Sequence, residues 1–208
     1  MTTTFRRFAG CTAIASAGAS LLFTFAFTVV VQDGARWAQW LSWTTLSLGA
    51  LASVPVLTAL YSRLGRSEPE FALVGFVLGV AGAVGAAIHG AFELSELANP
   101  SGPRGDVPSG VDPRGVMTFA VTGLALVLFG WLAIRTGGLP RRAGQWAIAG
   151  GVLLVVVYLG RLTVQDPKTN VIRVAALLSG LVLVPAFYLE VARSLFDRRA
   201  VASVEVTA

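Results

Sequence analysis

The sequence predicts an all-α fold, a polytopic transmembrane bundle of six spans forming a single domain over residues 1–208. Three observations predict it. Six apolar stretches of at least 17 residues follow one another with short polar breaks. Each suffices to cross a hydrocarbon core of roughly 30 Å at about 1.5 Å per residue. Charged residues make up only 13% of the chain, against about 25% in soluble domains, and mean hydropathy is +0.73. Lipid offers backbone N–H and C=O groups no partner, so each span must satisfy them internally as a helix.

The first span, Phe8–Val31, runs 24 residues behind Arg6 and Arg7. It is too long for a signal-peptide core and lacks a small-residue cleavage site, so it reads as an uncleaved span. The others are Trp40–Arg63, Glu70–Leu94, Arg114–Ile134, Gln145–Leu162 and Pro167–Ser194. Ser67 and Glu70 form a capping-box pattern around Pro69. Asp112-Pro113 and Asp166-Pro167 offer N-cap carboxylates ahead of a first-turn proline. Gly137-Gly138-Leu139-Pro140 separates spans four and five. Pro55 and Pro185 predict kinks in spans two and six. The segment from Leu97 to Asp112, rich in proline and glycine, is the longest connection and reads as a loop.

Arginine and lysine placement predicts orientation. With the N-terminus cytoplasmic, 10 of the 16 basic residues fall inside and 6 outside. With acidic residues included, the inner side carries net +5 and the outer side zero. This favours both termini inside a bacterial cytoplasmic membrane. The pI near 10.3 follows from this topogenic charge; the arginines cluster on no face, so no nucleic-acid partner is expected. Trp37, Trp40, Trp43, Trp131 and Trp146 sit at span ends and read as interfacial anchors. The single cysteine, Cys11, excludes intrachain disulfides and multi-cysteine metal sites, and reads as a small apolar residue. The single histidine excludes bis-histidine haem ligation within one chain. No cofactor or metal is expected.

Small residues crowd span three. Gly75, Gly79, Ala83 and Ala87 form one row at i, i+4 spacing, and Gly82, Ala86 and Gly90 form a second. Such rows let helix backbones approach closely. Two rows predict a span packed on both sides, in the bundle interior, with homo-oligomerisation through the same motif as the lesser possibility.

The candidate site is His89, Glu93 and Glu96. At about 100° per residue they lie at about 0°, 40° and −20°, on one face of span three's outer end. Arg114 opening span four, Tyr158 and Arg161 closing span five, and Arg173 early in span six stand at the same level. A carboxylate–arginine network pinning the helix ends is the plainest reading. A proton relay for a small transporter and an acid/base pair in a membrane enzyme acting on a lipid or small apolar substrate are the alternatives. The i, i+4, i+7 spacing is not the HExxH arrangement of a zinc site. No residue set specifies a reaction, so the reading leans away from an enzyme. It settles on a binding, sensing or scaffolding module whose partners are the lipid bilayer and a lipid or small apolar ligand.

His89-Gly90-Ala91-Phe92-Glu93-Leu94, Asp112-Pro113-Arg114-Gly115, Leu139-Pro140-Arg141 and Tyr158-Leu159-Gly160-Arg161-Leu162 together resemble a group of small six-span bacterial membrane proteins of unknown function, common in actinobacteria. The resemblance implies six helices and a plasma-membrane location, and hands over no catalytic residue.

Overall fold

The computed structural model describes residues 1–30, 35–100, 114–163 and 170–197. Among these the chain is all α-helical, with no strand. Six helices are long and apolar enough to cross a membrane: α1 Thr3–Val30, α2 Arg36–Leu64, α3 Pro69–Ala98, α4 Val116–Thr136, α5 Arg141–Thr163 and α6 Asn170–Phe196. Large apolar side chains such as Leu48, Val77, Ile88 and Val171 stand exposed on their outer faces. In a bilayer that surface needs no cover, because lipid is as apolar as leucine.

Local sequence sets the helix ends. Thr2 caps α1, its side chain accepting from the Phe5 amide at 3.3 Å. The expected capping box before α3 does not form. Glu68, one residue later than Ser67, is the N-cap, without a side-chain cap bond. Pro69 occupies the first turn, and the Glu68 carboxylate instead accepts from Arg135 Nε at 2.9 Å. Gly137 ends α4 with φ at +67°, a left-handed conformation that glycine adopts without strain, and Pro140 then opens α5. The caps expected at Asp112 and Asp166 lie outside the described residues, as does most of the loop between α3 and α4.

Each helix packs chiefly against its chain neighbours, and α6 returns to α1. The six therefore form a closed ring. This corrects the expectation that α3 is an interior helix: it is a member of the ring, with Phe71, Val74, Val77, Val84 and Ile88 exposed. Its small residues do serve both sides. A Cβ added at Gly79 would meet Leu57 of α2 at 2.7 Å, and one at Gly90 the Trp43 carbonyl of α2 at 2.6 Å. On the opposite side, a Cβ at Gly75 would meet Phe129 of α4 at 3.3 Å, and one at Gly82 would run into Thr122. Ala83 and Ala86, also in those rows, are buried. Each row contributes to both contacts: Gly79 and Gly90 face α2, and Gly75 and Gly82 face α4, as a ring member between two neighbours requires.

A second glycine device joins α4 and α5. Gly123 and Gly130 are seven residues apart, as are Gly144 and Gly151. A Cβ at Gly123 would strike the Gly151 carbonyl at 2.6 Å, and one at Gly130 the Gly144 carbonyl at 2.7 Å. The antiparallel backbones touch at both levels.

Ring closure leaves an axis to fill, and its two halves differ. Toward the end carrying Arg6, Arg63, Arg135 and Arg141, the axis is solid: Leu60, Leu64, Phe129, Leu132, Phe187, Val191 and Leu195 pack into one core. Arg63 closes this end, donating to the Ser194 carbonyl at 3.2 Å and hydroxyl at 3.3 Å. Toward the end carrying His89, the axis is hollow.

Three helices widen there into π turns, at Ala26–Val30 in α1, Val116–Val121 in α4 and Ser179–Leu183 in α6. A π turn leaves the α hydrogen-bond ladder locally, and side-chain hydroxyls bond the carbonyls around it. Thr122 Oγ1 donates to the Met117 carbonyl five residues earlier at 3.3 Å, and Ser20 Oγ of α1 donates to the Gly180 carbonyl at 3.0 Å. Pro185 follows the α6 π turn directly, so the proline expected to kink this span stands where the helix departs from α geometry. Pro55 lies inside α2.

Candidate functional site: a central cavity below a polar rim

The hollow half is a cavity of about 600 Å³. All six helices line it, each through the face it turns to the axis. Its bottom is set by Leu57, Leu126 and Tyr188, just above the packed core, and its other end reaches Glu93, Arg161 and Arg173. On α6 the wall runs from Ile172 to Tyr188, which at about 1.5 Å per residue makes the cavity about 24 Å long.

The rim contains the residues singled out from the sequence. Glu93 and Arg114 form an ion pair at 3.0 Å, with side chains only 12% and 22% exposed. The Arg114 guanidinium also lies over the Phe92 ring, 3.9 Å from its centroid, a cation–π contact that fixes the plane of the fork. One turn deeper, His89 is buried, and its Nδ1 lies 3.0 Å from Thr118 Oγ1. The Thr118 hydroxyl has one proton and gives it to the Arg114 carbonyl at 3.0 Å, so it accepts from the His89 Nδ1–H. The α3–α4 contact is thus doubly fastened at the level where both helices meet the void. Tyr158 and Arg161 of α5 and Arg173 of α6 line the same cavity, so five of the seven candidates face one void from three helices: His89, Glu93, Tyr158, Arg161 and Arg173. Arg114 stands behind Glu93, and Glu96 lies beyond the cavity on the next turn of α3.

Several wall residues escaped the sequence reading. Trp43 is not an interfacial anchor. Its ring lies 5.5 Å from that of His89 and 5.3 Å from that of Phe27, inside the cavity wall. Trp37 and Trp40 on the same helix do stand exposed. Ser16, Ser20, Phe23, Thr24 and Phe27 of α1 all face the void. Their spacing, mostly of three and four residues, places them on one face of α1. At the bottom, Tyr188 of α6 and Ser53 of α2 both line the void. Nothing in the sequence pairs those two, 135 residues apart. Cys11 is exposed on the outer face of α1, away from the cavity.

Among the described residues, no three His, Cys, Asp or Glu side chains come together closely enough to hold a metal ion. Chemically the arrangement is a mostly apolar chamber with aromatic rings near one end, hydroxyls along its walls and ionised groups at its rim. It suits holding an apolar molecule whose polar part stays hydrogen-bonded. No protein-family model, curated protein or solved structure matches the chain.

Proposed function

We propose that this protein is a non-enzymatic binding module of a bacterial cytoplasmic membrane, with both termini on the cytoplasmic side. Its ligand is a lipid or other small apolar molecule held in the central cavity. The observation that carries this reading is the shape of the axis: one half a chamber lined by all six helices, the other half a packed core. The chamber reaches the polar rim, where an entering molecule meets Glu93, Arg161 and Arg173. That fits capture or sensing of a ligand. The excess of arginine at the solid end supports the orientation, through the positive-inside rule.

Native mass spectrometry of protein extracted in mild detergent tests the reading. The wild-type chain should carry a lipophilic molecule, and Ala176→Phe, which fills the chamber from α6, should not. A clean apo species under every extraction condition would overturn it.

A transporter using His89 and the glutamates is the second reading. What favours it is that the chamber extends from the rim to the middle of the bundle, as one accessible state of an alternating-access cycle would. Proteoliposomes loaded with a pH-sensitive dye distinguish the two: a transporter moves protons with its solute, and a binding module does not.

A further inference from the structure

Among the described residues, the charged side chains that line the chamber all stand at its outer end: Glu93 of α3, Arg161 of α5 and Arg173 of α6. Glu93 is paired with Arg114 at 3.0 Å, so its charge is met within the protein. The two arginines lie at nearly the same level on adjoining helices. A Cβ added at Gly160, the residue before Arg161, would meet Ile172, the residue before Arg173, at 3.1 Å. Each guanidinium carries five N–H donors in one plane and no acceptor. A carboxylate or phosphate engages two of them side by side, so an arginine bonded elsewhere in the protein still has donors to offer. Arg173 is exposed and Arg161 half-buried, which sets the pair at the boundary between water and the chamber.

Below that level the wall changes character. Leu57, Leu126, Leu154 and Val184 line it from four helices. The hydroxyls of Ser16, Ser20, Thr122 and Ser179 on the same walls donate to backbone carbonyls. An alkyl tail lying beside them takes no acceptor from those protons. The chamber thus repeats the polarity profile of the leaflet around it, with ionised groups at the interface and apolar walls running down to the packed core.

We infer that the chamber takes an amphiphile with an anionic head, a carboxylate or phosphate, held at the rim by Arg161 and Arg173 while its alkyl tail runs down toward Tyr188. This ligand class rests on the binding reading above and deepens it. An ammonium head would be set against two guanidinium groups. A neutral alcohol would make uncharged hydrogen bonds where an anion makes charge-assisted, paired ones. A small anion without a tail would leave the apolar length of the chamber unused.

Dodecanoate, dodecyl phosphate, dodecanol and dodecylammonium share one tail and differ in the head. Each can be titrated into the full chain in a maltoside detergent, and the bound molecules counted by native mass spectrometry. The two anions should bind one to one, roughly tenfold more tightly than dodecanol, with dodecylammonium weakest. The tighter of the two anions identifies the source, a fatty acid or a phosphorylated lipid. Arg161→Gln and Arg173→Gln should each narrow the anion's advantage several-fold and leave dodecanol binding unchanged. Exposed Arg173 serves alone where Arg161→Gln fails to fold. Equal binding of all four heads, abolished by Ala176→Phe, would overturn the anionic preference while leaving the chamber a binding site. An advantage unchanged in the arginine variants would overturn their assignment, and anion binding that survives Ala176→Phe would place it outside the chamber. Binding of none of the four would overturn the inference together with the reading on which it rests.

Discussion

His89 Nδ1 lies 3.0 Å from Thr118 Oγ1, with both side chains buried, and this contact fastens α3 to the π turn of α4. It lies beside the cavity, where neither helix has a packed core to lean on. Interhelical hydrogen bonds of this kind in membrane proteins contribute about 0.6 kcal/mol on average and at most about 1.7 kcal/mol. A double-mutant cycle with His89→Ala and Thr118→Val should return a coupling energy in that range by reversible unfolding in detergent. Strictly additive single effects would show that the contact carries no energy.

The Glu93–Arg114 pair should be the more costly one to break. Both side chains are largely withdrawn from water, and Arg114 also stacks on Phe92. Glu93→Gln removes the charge that compensates a half-buried guanidinium, so a loss of about 1–3 kcal/mol is expected. For a chain of this size that is a fall in melting temperature of roughly 2–12 °C. Arg114→Lys should not preserve stability, since an ammonium neither forks to a carboxylate nor stacks as a plane. A thermal melt of each variant checks both statements.

Glycine substitutions should split into two classes. Gly90→Ala places a methyl against the Trp43 carbonyl and Ser47 of α2, and Gly123→Ala places one against the Gly151 carbonyl of α5. In both cases backbone must move, so melting temperature should fall by several degrees. Gly18→Ala meets nothing within 4 Å and removes a helix-weakening glycine, so it should raise stability by about 0.5–1 kcal/mol. A destabilised Gly18→Ala would contradict the helix packing described for α1.

Orientation can be read by labelling. With Cys11→Ser as background, Arg36→Cys should react with a membrane-impermeant maleimide in intact cells, and Arg141→Cys only after permeabilisation. Both positions lie at helix starts and are exposed, at opposite ends of the bundle. Labelling of both in intact cells would reverse or abolish the proposed topology.

The fold was legible because hydropathy is a local property: each span announces itself within its own window, whatever surrounds it. The polar rim was legible for a similar reason. His89 and Glu93 are four residues apart on one helix, and ionisable groups stand out in an apolar chain. The ring was not. Two small-residue rows on α3 describe equally well a helix buried in the middle and one wedged between two neighbours; the exposure of Val77 and Ile88 decides between them. The chamber was harder still, because it is built from what is missing between helices. Trp43 shows the difficulty: its place near a span end matches an interfacial anchor, and only the arrival of α1 and α3 beside it turns it into wall.

The π turns in α1, α4 and α6 carry a consequence for how this chain tolerates change. Each holds about one residue more than an α turn, so the helical stripe beyond it is rotated by about 100° relative to the stripe before it. Deleting a single residue within 179–183 would let that segment relax to an ordinary helix and swing the Gly180 carbonyl away from Ser20. Insertions and deletions at these three places are therefore rotations in disguise: they re-aim side chains around the axis while leaving the length of the crossing almost unchanged.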